Sequence, residues 1–420
     1  MTRLYLFLCV FFAATTVAAQ EDIDDDDRLL REEDTTAVDT LELYVQDVDS
    51  RLAWPHNIRE RIGRLLKSSV FTTSTVGICI YDLTADSAIY RYNDRQLMRP
   101  ASTMKIVNAV AALDKLGGSY LFKTQLLYSG RIDSGVLQGN VYCKGGMDPL
   151  FNGDDMKAFV ESLKKMGIDT IRGNVLADLT MKDRDLWGEG WCWDDDNPVL
   201  SPLLINRKDA FLQRFSQELK HVGIVLDGDT LKGATPAHAY EICVRTHTMD
   251  QVLMRMMKNS DNLFAEAMFY QLAASTGNFS AKARDARKLV NRLVTKFGLQ
   301  PKDYYIADGS GLSLYNYVSP ELEVQFLRYA YRNNNIFVHL LPSLPIAGVD
   351  GTLRKRMGKG TAQGNVKAKT GTVTGISSLA GYCTAANGHL LCFSIIHMGV
   401  RRSGIGRSFQ DKVCEALCEP

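Results

Sequence analysis

Apolar positions change their period several times along the chain, and each change marks an element. Over residues 45–66 they recur at helical spacing among charged residues, which predicts an amphipathic helix with Pro55 as an interruption. Residues 75–83 and 88–92 predict two strands with a turn at Asp86-Ser87. Pro100 then opens a helix that runs into the apolar stretch 106–113. Strand-like stretches at 121–128 and 136–143 lead into a different texture of short strands, glycine turns and acids. It holds a helix ending at Met166, a strand near 175–178 and an aromatic-acidic run over 187–196. Longer elements return at 210–219 and 223–228, followed by helices over 249–257, 262–273, 281–297 and 320–331. Residues 367–371, 378–384 and 389–397 read as neighbouring antiparallel strands, closed by a helix over 405–417.

Composition narrows the picture. The chain has 420 residues, 45% hydrophobic and 23% charged, enough to bury a large core in more than one lobe. A formal net charge of +1 without a basic block gives no footprint for nucleic acid. Arg3, the apolar run 4–12 and the small residues before Gln20 describe a secretory signal over 1–19, removed after Ala19. An acidic, disordered leader over 20–44 follows, and no later stretch is apolar enough to span a bilayer, so the mature protein is expected to be soluble and periplasmic. Without Cys9, eight cysteines remain, an even number that permits disulfides, though buried free thiols are the expectation for most of them. Cys-x-x-Cys and His-x-x-x-His spacings are absent from the sequence, so neither metal nor cofactor is expected.

The chemistry begins at Ser102-Thr103-Met104-Lys105. One helical turn puts the two side chains on one face, and a serine becomes nucleophilic when a neutral lysine takes its proton. Spacing alone does not decide, because Ser162-Leu163-Lys164-Lys165 repeats it on a helix whose lysines fall on the wet face. Two further islands set Ser102 apart. Ser260-Asp261-Asn262 precedes an apolar helix, and Lys369-Thr370-Gly371-Thr372 lies on a strand, where glycine lets a ligand approach the backbone. A Ser-His-Asp hydrolase is disfavoured, since Gly309-Ser310-Gly311 lacks the full nucleophile pattern and His247 reads as a loop residue.

In that order, Ser-x-x-Lys, Ser-x-Asn and Lys-Thr-Gly resemble the signature set of penicillin-binding proteins and serine β-lactamases. The wording resembles one branch, the low-molecular-mass class C D-Ala-D-Ala carboxypeptidases and endopeptidases, from about residue 75 to about 400. Lys144-Gly145-Gly146-Met147-Asp148-Pro149, Asp308-Gly309-Ser310-Gly311-Leu312-Ser313 and Gly351-Thr352-Leu353 carry the likeness along with the three motifs.

The resemblance implies an α+β fold, a five-stranded antiparallel sheet flanked by helices. Its catalytic domain would comprise 45–126 and 207–420, interrupted by a smaller inserted α/β domain over 127–206. It implies Ser102 as nucleophile, Lys105 as base with its pKa lowered by Lys369, Ser260 as proton relay and Asn262 as the group orienting Lys105. Lys369, Thr370, Gly371 and Thr372 would hold the substrate carboxylate, with the N–H groups of Ser102 and Thr372 as oxyanion hole. Trp191, Asp194 and Asp195 would meet the amine end of the peptide. Leu314 stands where many relatives have arginine, which removes one carboxylate contact. The implied substrates are peptidoglycan stem peptides, with β-lactams as acylating inhibitors. A β-lactamase is the first alternative, but Glu321 and Glu323 fall in an expected surface helix and leave it without a water-activating carboxylate. A non-catalytic wall-binding protein is the second.

Overall fold

The computed structural model describes residues 52–195, 197–278 and 280–420. The expected signal 1–19, the leader 20–44 and the first part of the 45–66 helix lie outside them. The rest of that helix is α1 (His56–Leu65), which buries Ile58, Ile62 and Leu65. Next come β1 (Thr75–Asp82), β2 (Ser87–Tyr92) and α2 (Met104–Leu116). A second lobe is built from β3 (Leu121–Tyr128), β4 (Arg131–Asp133), β5 (Val136–Gln138), β6 (Val141–Lys144), α3 (Gly153–Lys165), β7 (Thr170–Arg172) and β8 (Val175–Asp178). It is completed by α4 (Phe211–His221), β9 (Val225–Asp227), β10 (Thr230–Lys232) and β11 (Tyr240–Thr248). Helices α5 (Met249–Lys258), α6 (Asn262–Ala274), α7 (Ala283–Lys296), α8 (Pro320–Arg332) and α9 (Asn334–Ser343) follow. The chain closes with β12 (Lys367–Val373), β13 (Ile376–Thr384), β14 (Leu390–Met398) and α10 (Ser403–Cys418).

The expected five-stranded sheet is present, ordered β12-β13-β14-β1-β2 and antiparallel throughout. Strands β13 and β14 are buried almost end to end because helices cover both faces. Ile58, Leu65, Phe409 and Val413 from α1 and α10 pack on one side, and Val107, Phe264 and Phe326 from α2, α6 and α8 on the other. Every residue of α2 from Met104 to Leu113 is buried. Each large aliphatic side chain among them contributes about 1.5–3 kcal/mol on burial, so packing fixes the helix that follows Ser102.

The second lobe has a mixed sheet, β10-β8-β6-β3-β11, a four-stranded sheet, β4-β5-β7-β9, and a core that includes Phe151, Phe159, Phe211 and Phe215. The sequence had the chain leave this lobe at residue 206. Strand pairing instead carries it to Thr248, since β9, β10 and β11 join β7, β8 and β3. The short, largely exposed β9 and β10 carry too few apolar positions to announce a strand. His247 therefore sits on β11 rather than in a loop, its Nδ1 2.7 Å from the Asp148 carboxylate.

Helix α8 is not a surface helix. It packs between β14 and α2, so Glu321 is 6% exposed and Glu323 0%. Glu321 accepts from Arg91 at 3.0 Å and Arg95 at 3.1 Å, and Glu323 accepts from the Ser394 hydroxyl at 2.7 Å. Among the described residues eight cysteines are free thiols, six of them buried.

Candidate active site

Ser102 stands in a short 3-10 turn, Ala101–Thr103, that feeds α2, rather than in the first α-helical turn itself. Ala101 takes φ of 48°, a left-handed conformation that an L-residue adopts only when its surroundings hold it. The Thr103 hydroxyl steadies the turn by donating to the Pro100 carbonyl at 2.8 Å.

Lys105 is fully buried one turn later. Its Nζ donates to Ser102 Oγ at 2.9 Å, Asn262 Oδ1 at 2.8 Å and the Ser310 carbonyl at 2.9 Å, so three acceptors surround three possible donors. Burial lowers its pKa from 10.5 to about 8, against the opposing pull of Asp308, Glu266 and Asp261. The sequence offered the charge of Lys369 as one reason for this lowering; loss of water around Nζ is the dominant cause. Near neutral pH a useful fraction of Lys105 is therefore free amine, the form able to take a proton from Ser102.

Ser260-Asp261-Asn262 links α5 to α6. Asp261 caps α6 by accepting from the Phe264 N–H at 3.4 Å, while its Oδ2 accepts from Arg255 at 3.0 Å and from Arg207 of the second lobe. This clamp holds Ser260 at φ of 58°. Lys369, fully buried on β12, donates to Ser260 Oγ at 2.8 Å and to the Thr370 carbonyl at 2.7 Å. The Thr370 hydroxyl donates to Thr352 at 2.7 Å, and Lys258 anchors the Thr352 turn through Asp350 at 2.7 Å. A Cβ on Gly371 would lie 2.9 Å from the Ser102 nitrogen and 2.8 Å from the Pro100 carbonyl. Only glycine lets β12 approach the nucleophile turn this closely.

Below the nucleophile lies a layer to which the sequence gave no role. Glu266 accepts from the Gly309 and Ser310 N–H groups at 3.1 and 2.8 Å and so aims the Ser310 carbonyl at Lys105. Burial first and Asp308 second push the Glu266 carboxyl up to about 8. Asn108, one turn beyond Lys105, donates to the carbonyls of Ala265 and Gly309. The motif stretch Asp308-Gly309-Ser310 was the available signal for this layer.

Trp191 is largely buried. It is 9% exposed and donates from Nε1 to Asp308 Oδ2 at 2.9 Å, so it acts on the site by fixing the Asp308 turn. Asp194 and Asp195 are exposed on the same loop, and Leu314 is half-buried beside the turn. Among the described residues no group of three or more His, Cys, Asp or Glu side chains could hold a metal.

A family model described as the D-Ala-D-Ala carboxypeptidase 3 (S13) family matches residues 58–204 and 203–416. The D-alanyl-D-alanine carboxypeptidase DacB of Haemophilus influenzae is 26% identical over 405 residues, covering 76% of this chain and 84% of that protein. The crystal structure of penicillin binding protein 4 (dacB) from the same organism superposes with a TM-score of 0.78 at 24% identity, covering 84% of this chain and 100% of that one. A second structure of that protein, complexed with a β-lactam, gives 0.69 at 24% identity over 82% and 96% of the two chains. A predatory peptidoglycan endopeptidase from Bdellovibrio bacteriovorus gives 0.53 at 17% identity over 77% and 86%. With three separated motifs meeting in one cleft and a family match along most of the described chain, the protein belongs to the S13 family of D-Ala-D-Ala carboxypeptidases, a family of serine-type peptidases.

Proposed function

We propose that this protein removes the terminal D-alanine from peptidoglycan stem peptides through an acyl-enzyme on Ser102. The observation that carries the reading is the double bridge at the site: Lys105 Nζ joins Ser102 to Asn262, and Lys369 Nζ reaches Ser260. Neutral Lys105 takes the Ser102 proton as Oγ attacks the penultimate D-alanine carbonyl. The resulting oxyanion lies against the N–H groups of Ser102 and Thr372, and in other hydrolases losing one such donor costs about 2.7–4 kcal/mol of barrier. Ser260 passes a proton to the departing amine, and Lys369, Thr370 and Thr372 hold the terminal carboxylate. The proton gathered by Lys105 replaces the one Ser260 gave up, leaving Lys105 neutral; water then attacks the ester while Lys105 takes a proton from it and passes that proton to Oγ as it leaves.

A β-lactam presents the same carbonyl and carboxylate and acylates the same oxygen. The cross-link between stem peptides ends in the same D-alanine bond, so endopeptidase cleavage is a second activity of this cleft. Asp194 and Asp195 are offered to a cationic group beyond the reacting bond. The secretory signal expected over 1–19 and a wall-peptide substrate are the grounds for reading the protein as periplasmic.

The test is mass spectrometry of purified wall peptides incubated with wild type and Ser102→Ala, alongside labelling with fluorescent penicillin. Loss of one D-alanine in the wild type alone, with labelling confined to it, is the expected result. Conversion of dimers to monomers identifies the endopeptidase activity. Unlabelled wild type with unchanged peptides overturns the proposal and favours a wall-binding role.

A further inference from the structure

A second concave site lies where the two lobes meet, a cleft of about 400 Å³ whose lining includes Lys123, Gln125, Lys144, Gly146, Gln271 and Ser280. On β3, Lys123 and Gln125 share a face, and Gln125 stands opposite Lys144 of β6 in the ladder. The two lysines are thus diagonal neighbours, a spacing of about 7–8 Å between their stems. Both are exposed, and among the described residues neither has an ion-pair partner.

Two carboxylates lie near the cleft, each engaged by neutral donors rather than by either lysine. Glu241 accepts from the Gln125 amide at 2.7 Å. Asp178, level with Lys144 on β8, accepts from the Thr180 N–H and hydroxyl at 3.0 and 2.6 Å and from the Thr235 N–H at 2.9 Å. Among the described residues the lining contains no Asp or Glu.

Packing explains the glycines of Lys144-Gly145-Gly146 but leaves the lysine over. A Cβ on Gly145 would lie 2.5 Å from the Pro202 carbonyl, and one on Gly146 would lie 2.1 Å from the Lys123 carbonyl. Gln271, held by the Tyr120 hydroxyl at 2.8 Å, donates to the Gly146 carbonyl and fixes the floor. Two like charges on adjacent strands repel, and a concave wall without a carboxylate leaves that repulsion for a ligand to relieve.

We propose that this cleft binds a dianion, two carboxylates or two phosphates about a lysine pair's span apart, between the ammonium groups of Lys123 and Lys144, with the Ser280 hydroxyl beside them. The site is separate from Ser102, and its occupancy ties the second lobe to the end of α6 remote from Asn262.

Calorimetric titration of the full chain at low ionic strength, with inorganic pyrophosphate and with glutarate, tests this. Saturable binding of at least one probe is expected, weakened about tenfold or more by the pair Lys123→Ala and Lys144→Ala and unchanged by the exposed control pair Lys164→Ala and Lys165→Ala. Pyrophosphate alone binding identifies a phosphate ligand, and glutarate alone a carboxylate. Absence of saturable binding with both probes, or equal affinity in the two double variants, overturns the proposal. Fluorescent penicillin labelling of each variant is the fold control, so a failed catalytic reading shows as lost labelling in the wild type and a failed dianion site does not.

Discussion

Two segments of this chain place serine three residues ahead of lysine, and they come to opposite ends. At the start of α2, Lys105 is buried between Asn262 of α6 and the Asp308 turn, and its amine reaches Ser102 at 2.9 Å. At the end of α3, Ser162 turns back to donate to the Ala158 carbonyl at 2.7 Å, while Lys164 and Lys165 lie in water. The spacing is identical, so spacing is not what makes a base. Withdrawal of water around Lys105 does that, because it lowers the pKa to about 8 and so raises the fraction of free amine near neutral pH.

The largest contrast should come from the hydroxyls. Ser102→Ala should lower peptide hydrolysis by on the order of 10⁵–10⁶ and abolish penicillin labelling, while Ser162→Ala leaves both within about twofold. Equal effects would end the comparison. Next come the lysines. Arginine cannot lose its proton, so Lys105→Arg should slow acylation by about 10²–10⁴ while Lys165→Arg leaves it unchanged, measured by stopped-flow labelling.

The pH profile sharpens the same point. Only free Lys105 amine accepts a proton, so the acylation rate should climb about tenfold per pH unit below about 8 and level off above it. A profile flat from pH 6 to 9 would show that burial does not tune the base. The smallest effect concerns the layer beneath. Glu266, with its carboxyl raised from 4.5 to about 8, holds a proton in the fold that the unfolded chain has released, so stability should fall as pH rises across that window. Glu266→Gln keeps the acceptor for the Gly309 and Ser310 N–H groups and should flatten that slope in denaturant titrations, with labelling retained to within about threefold.

Much of the first lobe was legible because its signals are local. Strands β12, β13 and β14 and the helices around them follow periodicity, and the three motifs name the atoms that meet. What stayed hidden depends on what covers a residue from far away. Glu323 looks like a solvent-facing acid until β14 is laid over it, and the sequence leaves Trp191 without a partner until Asp308, more than a hundred positions later, accepts a hydrogen bond from its indole N–H. The extent of the second lobe was misjudged because the exposed strands β9 and β10 are held by backbone pairing that leaves no apolar alternation. Arg207 gave no warning at all, since nothing near residue 207 announces that it will clamp the loop beside Ser260.

The reliance of Lys105 on dryness rather than on a neighbouring charge has a thermal corollary. A small loosening of the helices above it, well short of melting, admits solvent, restores the proton and silences the enzyme while its sheets persist. Heating should therefore extinguish turnover several degrees before the circular dichroism signal collapses, and cooling should bring it back.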